Sequence, residues 1–374
     1  PRLVTGQFDP TYNKAVWPST GNYCRGGAYN SKLLGCDSIA ILPAEMSRER
    51  FEWLSKIAGE VIATPGCESN VKEIFDKTWE LRRTRKDVII FNQFEEMGNV
   101  LWHYQVTGHA IAEAYESIKT PTSRFAGACF TSGSAGTMSA GDYLKEQYPY
   151  SKLAVGEALQ CPTLLENGFG GHRIEGIGDK HVPWVHNVRN TDMVIDIDDE
   201  DSQNLLRLFN SEEGHKYLRE VAGVPEATIE QLSLLGISGI ANVLCCIKFA
   251  KYYELTRDDV VATVATDSAV MYESRVKELN EQQGNYSLLT AARDFSEHLH
   301  GIRTDNMAEL TYADRKRVHN LKYYTWVEQQ GKTVEELNAQ WYDRDYWTGI
   351  HEQAKDLDKL INEFNARTGV AEKI

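Results

Sequence analysis

Short runs of β-branched and small apolar residues alternate with helical patterns over the first two-thirds of the chain, and this alternation constrains the fold most strongly. Such a pattern produces mostly parallel sheets with helices on both faces. The predicted strands are Ala15–Trp17, Ser38–Leu42, Val61–Thr64, Val88–Phe91, Arg124–Cys129, Lys152–Val155, Met193–Ile197 and Val260–Ala265. The predicted helices are Arg48–Ala58, Val71–Arg83, Gly108–Ser117, Thr137–Gln147, Asp201–Phe209 and Ala241–Tyr253. We therefore predict a doubly wound α/β fold with mostly parallel, twisted sheets.

The pattern changes after about Tyr272, where strand signals end and helical patterns rich in Glu, Gln, Asn and aromatic residues follow. Thr333-Val-Glu-Glu336 has the spacing of a capping box, and Asp356–Phe364 has one apolar face. We expect residues 273–374 to form a helical C-terminal extension that packs on the main body or on a partner subunit. The rest is predicted to divide into a small α/β domain (residues 1–120) and a large α/β domain (residues 121–272), with an exchange of segments between them left open.

Charge and cysteine usage exclude several classes of protein. The chain has 40 Lys and Arg against 54 Asp and Glu, a formal charge of −14, and an acidic surface repels nucleic-acid phosphates. No apolar run approaches the roughly 18 residues that a membrane span needs, and no signal-peptide pattern is present. The seven Cys residues lack metal-ligand spacing and indicate a reducing compartment. We therefore predict a cytoplasmic protein with no nucleic-acid, membrane or metal partner.

A run of small residues, Phe130-Thr-Ser-Gly-Ser-Ala-Gly-Thr137, lies between a predicted strand and a predicted helix. Small side chains let the backbone approach a phosphate, while successive N–H groups and the helix N-terminus supply positive potential. A turn built of small residues for packing alone is the alternative. Gly133 and Gly136 have neither the spacing of a dinucleotide-binding loop nor the lysine of a P-loop, which argues against a nicotinamide-dependent dehydrogenase.

Two further polar turns follow predicted strands. Ser19-Thr-Gly-Asn-Tyr23 offers hydroxyls and an amide that suit a carboxylate or a ring hydroxyl, although an ordinary helix N-cap explains them almost as well. Thr266-Asp-Ser-Ala269 places another hydroxyl after a strand. Ligands of α/β sheets bind at the carboxyl ends of the strands, so the three turns are expected to face one ligand.

In order and context, the three turns resemble those of the fold-type II pyridoxal-phosphate enzymes, specifically the cysteine synthase and cystathionine β-synthase branch. Ser19–Tyr23 is similar to that family's Thr-Ser-Gly-Asn-Thr loop, and Gly133–Thr137 to its Gly-Thr-Gly-Gly-Thr loop. Thr266–Ala269 is similar to its Pro-Asp-Ser-Gly turn. Connecting segments also have family counterparts, namely Ile41–Arg50, Asn92–Asn99, His103–Gly108, Glu175–Gly178 and Gly236–Asn242. The resemblance covers roughly Trp17 to Tyr272.

The resemblance implies pyridoxal 5′-phosphate as the cofactor. Its implied binding residues are Asn22, Gly133, Ser134, Ala135, Gly136, Thr137 and Ser268. Asn22 would contact the ring hydroxyl, and Ser268 would face the pyridine nitrogen. Ser19, Thr20 and Gln93 would bind the α-carboxylate of a small amino-acid substrate. A neutral Ser beside the ring nitrogen suits β-replacement or β-elimination through an aminoacrylate.

The family's Schiff-base lysine has no counterpart in the sequence. In the family it lies about thirty residues before the Asn of the loop, whereas this chain has twenty-one residues before Asn22. Lys14 precedes the strand Ala15–Trp17, which places it at the end of that strand away from the cofactor. Lys180 is interpreted as a surface lysine; contact to an acidic substrate and replacement of the absent base are the alternatives. No catalytic residue is therefore assigned, and the small domain is expected to lack an N-terminal part that carries the lysine.

The sequence thus predicts a cysteine synthase-like lyase or transferase of amino-acid metabolism, assembled as a homo-oligomer (a dimer or larger). The alternative is a non-catalytic subunit or pseudoenzyme that retains the loop for the cofactor phosphate, Gly133–Thr137.

Overall fold

Two mostly parallel sheets organise the computed structural model, which describes residues 1–369. The strands are β1 (Lys14–Pro18), β2 (Ser38–Pro43), β3 (Glu60–Thr64), β4 (Val88–Ile90), β5 (Arg124–Thr131), β6 (Lys152–Ala158), β7 (Met193–Ile197), β8 (Asp259–Ala262) and β9 (Met307–Glu309). The first sheet has the order β3-β2-β1-β4 and the second the order β8-β5-β6-β7-β9. All pairs are parallel except β7 with β9. The predicted α/β fold is confirmed.

Helices cover both sheets and make up most of the C-terminal region. They are α1 (Asn22–Leu33), α2 (Arg48–Ile57), α3 (Val71–Thr84), α4 (Met97–Trp102), α5 (His109–Ile118), α6 (Met138–Gln147), α7 (Thr163–Glu166), α8 (Asp199–Phe209), α9 (Glu212–Glu220), α10 (Glu226–Ile229), α11 (Ile237–Tyr252), α12 (Glu273–Gln283), α13 (Leu288–Asp294), α14 (Tyr312–Lys322), α15 (Val334–Tyr342) and α16 (Tyr346–Thr368). Three π-helical segments continue α4, α13 and α14, namely His103–Gly108, Phe295–His300 and Tyr323–Val327.

The β2 strand shows why the first sheet is buried on both faces. All six of its residues are buried, and Ile39 and Ile41 pack in one apolar cluster while Ala40 and Leu42 pack in another. Successive side chains of a strand point to opposite faces, so a continuous apolar run is what a strand covered by helices on both sides requires. The same arrangement brings the turn after β1 to the carboxyl edge of its sheet.

Helix boundaries differ from the predictions where tertiary contacts decide them. The predicted helix beginning at Gly108 is the end of a continuous helical segment that starts at Met97. Gly108 lies inside this segment because the segment packs closely against α6 at that point. A Cβ at Gly108 would lie 2.9 Å from Cδ1 of Tyr143 on α6. The predicted capping box at Thr333 and Glu336 is confirmed at the start of α15.

The C-terminal extension is helical as predicted, apart from one short strand that the sequence did not predict. Met307–Glu309 forms β9, which pairs antiparallel with β7 at the edge of the second sheet. A three-residue strand carries no periodic signal of its own, because its pairing depends on a partner more than one hundred residues earlier in the chain. Along residues 1–369 no helix is long and apolar enough to cross a membrane. The predicted domain boundaries remain a prediction.

Candidate functional site

A cavity of about 230 Å³ lies where the carboxyl ends of β1 and β5 face each other, and we call it the central cavity. Two turns form opposite walls. The asparagine loop, Ser19–Asn22, connects β1 to α1, and the glycine loop, Gly133–Thr137, connects β5 to α6. Both loops therefore end at the start of a helix, where backbone N–H groups are unpaired and the helix dipole is positive.

The glycine loop presents an uninterrupted series of free backbone donors. None of the five N–H groups from Gly133 to Thr137 donates to an acceptor in the part of the chain that the structure describes. Buried N–H groups rarely lack partners, so a run of five at a helix N-terminus fits an anion such as a phosphate. Ala135 has a left-handed backbone with φ of 60°, which turns these groups into one concave surface.

Close packing explains the small residues of the glycine loop. A Cβ at Gly133 would lie 2.7 Å from the carbonyl oxygen of Gly176, and a Cβ at Gly136 would lie 2.2 Å from Oδ1 of Asn99. Asn99 itself donates through Nδ2 to the Gln93 carbonyl oxygen at 3.0 Å and to Ser134 Oγ at 3.1 Å. Asn99 thus connects the glycine loop to the segment that carries Gln93.

The hydroxyl of Ser19 is positioned as a donor. Its Oγ accepts hydrogen bonds from the N–H of Gly21 at 2.8 Å and from Nε2 of Gln93 at 3.2 Å. With two acceptor positions used, the hydroxyl proton remains available for a carboxylate in the central cavity. Thr20 and Tyr23 line the cavity beside it.

The side-chain amide of Asn22 is oriented by two guanidinium groups. Its Oδ1 accepts from NH1 of Arg25 and from NH1 of Arg50, both at 3.3 Å. Because arginine can only donate, these contacts assign the oxygen to Oδ1 and leave Nδ2 as the group that can donate into the cavity. Nδ2 lies 3.4 Å from Oγ1 of Thr266 on the opposite wall.

Arg50 connects the asparagine loop to the second sheet. It is fully buried, with NH2 lying 3.4 Å from Glu175, 3.5 Å from Asp267 and 3.0 Å from the Tyr272 hydroxyl. Burial opposes its charge, but the facing Tyr272, Glu175 and Asp267 hold the pKa of Arg50 above its ordinary value. Arg50 is therefore a permanent cation directly behind Asn22.

A buried carboxyl group lies behind Thr20. Glu68 accepts the N–H of Gly176 at 2.7 Å, and burial, with the nearby charge of Glu175, raises the pKa of Glu68 well above its ordinary value. Gly176 has φ of 105°, a left-handed conformation that favours glycine and brings its N–H to this carboxyl. The asparagine loop therefore lies between Arg50 and Glu68.

The third predicted turn contributes a different residue from the one expected. Thr266 lines the central cavity, with its Oγ1 3.1 Å from Ser238 Oγ, whereas Ser268 is half-buried and does not line it. Asp267 between them accepts from the Tyr272 hydroxyl at 2.7 Å and so faces Arg50. The assignment of Ser268 to the pyridine nitrogen remains a prediction, and Thr266 is the hydroxyl that this structure places in the wall.

Nine of the ten predicted cofactor and substrate residues line the central cavity together. These are Ser19, Thr20, Asn22, Gln93, Gly133, Ser134, Ala135, Gly136 and Thr137. Among the residues that line it without a predicted role are Tyr23, Asn99, His103, Gly176, Ser238, Asn242 and Thr266. All of these but Tyr23 and Thr266 occur in the connecting segments that resemble the family, so the resemblance pointed to them. They could not be given roles from the sequence, because the sequence does not show that they line the same cavity.

The histidine and the lysines considered as possible bases are neutral or distant from the cavity. His103 lines it, with Nδ1 2.9 Å from Thr107 Oγ1, and burial lowers the pKa of His103 to about 4. Lys14 starts β1 at the end opposite the asparagine loop and pairs with Asp37 at 3.1 Å, and Lys180 is exposed. No lysine of residues 1–369 lines the cavity, and no group of three His, Cys, Asp or Glu residues in that range is placed to hold a metal ion.

Comparison with known proteins agrees with this geometry. The profile of the family described as pyridoxal-phosphate dependent enzyme matches residues 11–223. A probable cysteine synthase of Bacillus subtilis is 30% identical over 260 residues, which are 69% of this chain and 76% of that protein. Cystathionine β-synthase of Saccharomyces cerevisiae is 26% identical over 278 residues, which are 72% of this chain and 51% of the yeast protein.

Solved structures show the same fold. A hydrogen sulfide-producing enzyme of Fusobacterium nucleatum superposes with a TM-score of 0.61 at 22% identity, over 78% of this chain and 80% of that one. An O-acetylserine dependent cystathionine β-synthase of Helicobacter pylori gives a TM-score of 0.59 at 24% identity, over 73% of this chain and 80% of that one. All four relatives are enzymes, so the comparisons support the predicted enzyme and give no support to the non-catalytic alternative.

Proposed function

Because this chain belongs to the family of pyridoxal-phosphate dependent enzymes, we propose that it catalyses β-replacement or β-elimination on a small amino acid, in the manner of a cysteine synthase. Pyridoxal 5′-phosphate is the cofactor of that family. The observation that carries the proposal is the central cavity, where five free N–H groups face a side-chain amide whose donor is fixed by Arg50.

The residues of the cavity fit this cofactor. The glycine loop would hold its phosphate, and Asn22 would donate through Nδ2 to the oxygen on its ring. A hydroxyl of the Thr266–Ser268 turn would face the ring nitrogen. Because a hydroxyl is too weak an acid to protonate that nitrogen, the nitrogen would stay unprotonated. When bound, the cofactor supplies an electron sink that stabilises negative charge at Cα of the amino acid.

The asparagine loop would bind the substrate. Ser19 donates its free hydroxyl proton to the α-carboxylate, and Thr20 and Gln93 lie beside it. In a replacement, a base, which is the Schiff-base lysine in the family, would take the Cα proton and later return it, and the Cβ–O bond would break with the leaving group taking the electron pair. A sulfide or thiolate then forms the new Cβ–S bond. In an elimination, no nucleophile is added.

The test is an assay of the purified protein with pyridoxal 5′-phosphate. Three reactions are followed: cysteine from O-acetyl-L-serine and sulfide, sulfide from L-cysteine, and pyruvate from L-serine. We expect at least one product, and a rise of about tenfold in KM on Ser19→Ala, since one hydrogen bond to a charged group contributes about 1.5–3 kcal/mol. Ser55→Ala, an exposed serine on α2, is the matched control and should leave KM unchanged.

Cofactor binding is tested on the same sample by the absorption spectrum and the intact mass. Borohydride reduction followed by peptide mapping would identify a lysine that carries the cofactor. A protein that takes up no pyridoxal 5′-phosphate and forms none of the three products would overturn the proposal and favour the non-catalytic subunit.

A further inference from the structure

A second cavity, of about 460 Å³, lies between helix α6, which follows β5 of the second sheet, and the start of α16 in the C-terminal extension. It shares no lining residue with the central cavity. The residues that matter here are Asp142 on α6, Asn187 and Arg189 on the segment before β7, and Arg344, Trp347 and His351 around the start of α16. Nothing in the proposed reaction uses them.

The inner wall of the second cavity contains buried polar atoms without partners. His351 is 6% exposed and Asp142 is 5% exposed, yet their nearest approach, Nε2 to Oδ2, is 3.8 Å, which is too long for a hydrogen bond. Within the described residues, Nε2 of His351 forms no hydrogen bond and Oδ1 of Asn187 accepts none. Unsatisfied buried groups are rare in native proteins, and these line a cavity, so a ligand that can donate hydrogen bonds would satisfy them.

The acceptors of this wall suit a cationic donor, whose charge would favour the ionised form of Asp142. Burial raises the pKa of Asp142 to about 7 and lowers the pKa of His351 to about 4, so His351 is neutral at neutral pH and does not neutralise the carboxyl. The two oxygens of Asp142 each accept one hydrogen bond, from Nδ2 of Asn187 at 3.1 Å and from Nδ2 of Asn190 at 2.5 Å, and Oδ1 of Asn187 remains a further free acceptor. An ammonium group, with three donors, matches these acceptors.

The mouth of the second cavity carries the opposite charge. Arg189 and Arg344 are both exposed there, and Arg344 forms neither an ion pair nor a hydrogen bond with any residue from 1 to 369. Guanidinium groups bind carboxylates by paired hydrogen bonds. Trp347, which is 7% exposed, adds an apolar wall between the two ends. The cavity therefore has amide and carboxyl acceptors inside, two arginines outside and an apolar side. Lys145 and Glu146 also line it, but Lys145 pairs with Asp192 at 2.8 Å and Glu146 accepts from the Tyr104 hydroxyl at 2.6 Å.

We propose that the second cavity binds a free α-amino acid, with its ammonium toward Asp142 and Asn187 and its carboxylate toward Arg189 and Arg344.

Contacts connect this site to the central cavity. The ring of His351 stacks on Tyr104 with 3.8 Å between centroids and 17° between planes. Tyr104 follows His103, which lines the central cavity, in the π-helical segment that continues α4. An amino acid in the second cavity would therefore be separated by the His351 ring alone from the helical segment that forms part of the central cavity, which gives binding a route to affect activity.

The proposal is independent of the proposed function, because binding can be measured without turnover. The protein is screened by thermal shift against each proteinogenic amino acid, and the strongest ligand is then titrated by calorimetry. We expect at least one to raise Tm with increasing concentration. The N-acetyl form, which lacks the ammonium, should not bind.

Variants locate the binding. Arg344→Gln should weaken the affinity by about tenfold, or about 1.4 kcal/mol, and His351→Phe, which retains a ring to stack on Tyr104, should also weaken it. Arg257→Gln is the matched control, since Arg257 is equally exposed and lies outside both cavities. The proposal is overturned if no amino acid binds, or if binding persists in Arg344→Gln and is lost in Ser19→Ala, which would place the ligand in the central cavity.

Discussion

The wall of the central cavity that follows β5 offers backbone N–H groups, whereas the wall that follows β1 offers side chains. In the glycine loop the donors are fixed by the chain conformation itself, including the left-handed Ala135. In the asparagine loop the donors of Ser19 and Asn22 are fixed by other residues, some more than two hundred positions away in the chain. Arg50, for example, is held by Asp267 and Tyr272.

This difference indicates that the two walls fail in different ways. The backbone N–H groups of the glycine loop are blocked only when a side chain fills the space in front of them, and they do not depend on the ionisation of any group. A side-chain wall depends on buried charges, whose removal costs stability as well as orientation. The predictions below separate these two kinds of dependence.

Removing the charge behind the asparagine loop should have the largest effect. Arg50→Met leaves Glu175 and Asp267 buried without their cation, and we expect a loss of about 3–5 kcal/mol in the free energy of unfolding. Urea denaturation of the cofactor-free protein measures it. Arg257→Met, at an exposed arginine, should change stability by less than about 0.5 kcal/mol. A loss as small as that in Arg50→Met would mean that the cluster does not hold the loop.

Filling the glycine loop should strongly weaken cofactor binding while leaving the fold intact. Gly136→Leu places its Cβ 2.2 Å from Asn99 Oδ1, so the side chain must displace Asn99 or enter the phosphate position. We expect the affinity for pyridoxal 5′-phosphate to fall by about 100-fold, or about 2.7 kcal/mol, as measured by equilibrium dialysis. Gly349→Leu on α16, where a Cβ meets nothing within 4 Å, should bind as the unmodified protein does. Undiminished binding by Gly136→Leu would show that the phosphate lies elsewhere.

The same contrast explains how much of the molecule could be predicted from its sequence. The glycine loop was predictable because its function depends on small residues at fixed positions, which a sequence displays directly. The strands were predictable because continuous apolar runs such as Ile39–Leu42 reflect burial on both faces. Arg50 and Glu68 were not given roles, because a charged residue on or near a helix is expected to be exposed as long as its buried partners are unknown. β9 was missed because its formation depends on a distant strand, β7, which is its partner among the described residues.

Ionisation should affect the asparagine-loop wall alone. The pKa of Glu68 is raised in the folded state, so its contribution to stability is present below its unfolded pKa and is lost as pH rises through the folded value. Glu68→Gln does not titrate, and its stability relative to the unmodified protein should therefore increase between pH 5 and pH 8, by up to about 1.4 kcal/mol per pH unit. Urea denaturation at several pH values measures this difference. A difference that stays constant with pH for Glu68→Gln would mean that the pKa of Glu68 is not perturbed.

The smallest expected effect concerns the hydroxyl that faces the cofactor ring. The resemblance to the family implies Ser268, but the structure places Oγ1 of Thr266 in the cavity wall, 3.4 Å from the Asn22 amide. Thr266→Val removes this hydroxyl and retains the side-chain shape, so we expect cofactor affinity to fall by about three- to tenfold, as for the loss of one hydrogen bond of about 0.5–1.5 kcal/mol. Ser268→Ala should change it by less than twofold. If the order is reversed, with Ser268→Ala the weaker binder and its absorption band shifted, Ser268 turns toward the ring when the cofactor binds. The side-chain wall would then be one that rearranges around its ligand, whereas the backbone cradle of the glycine loop is formed beforehand.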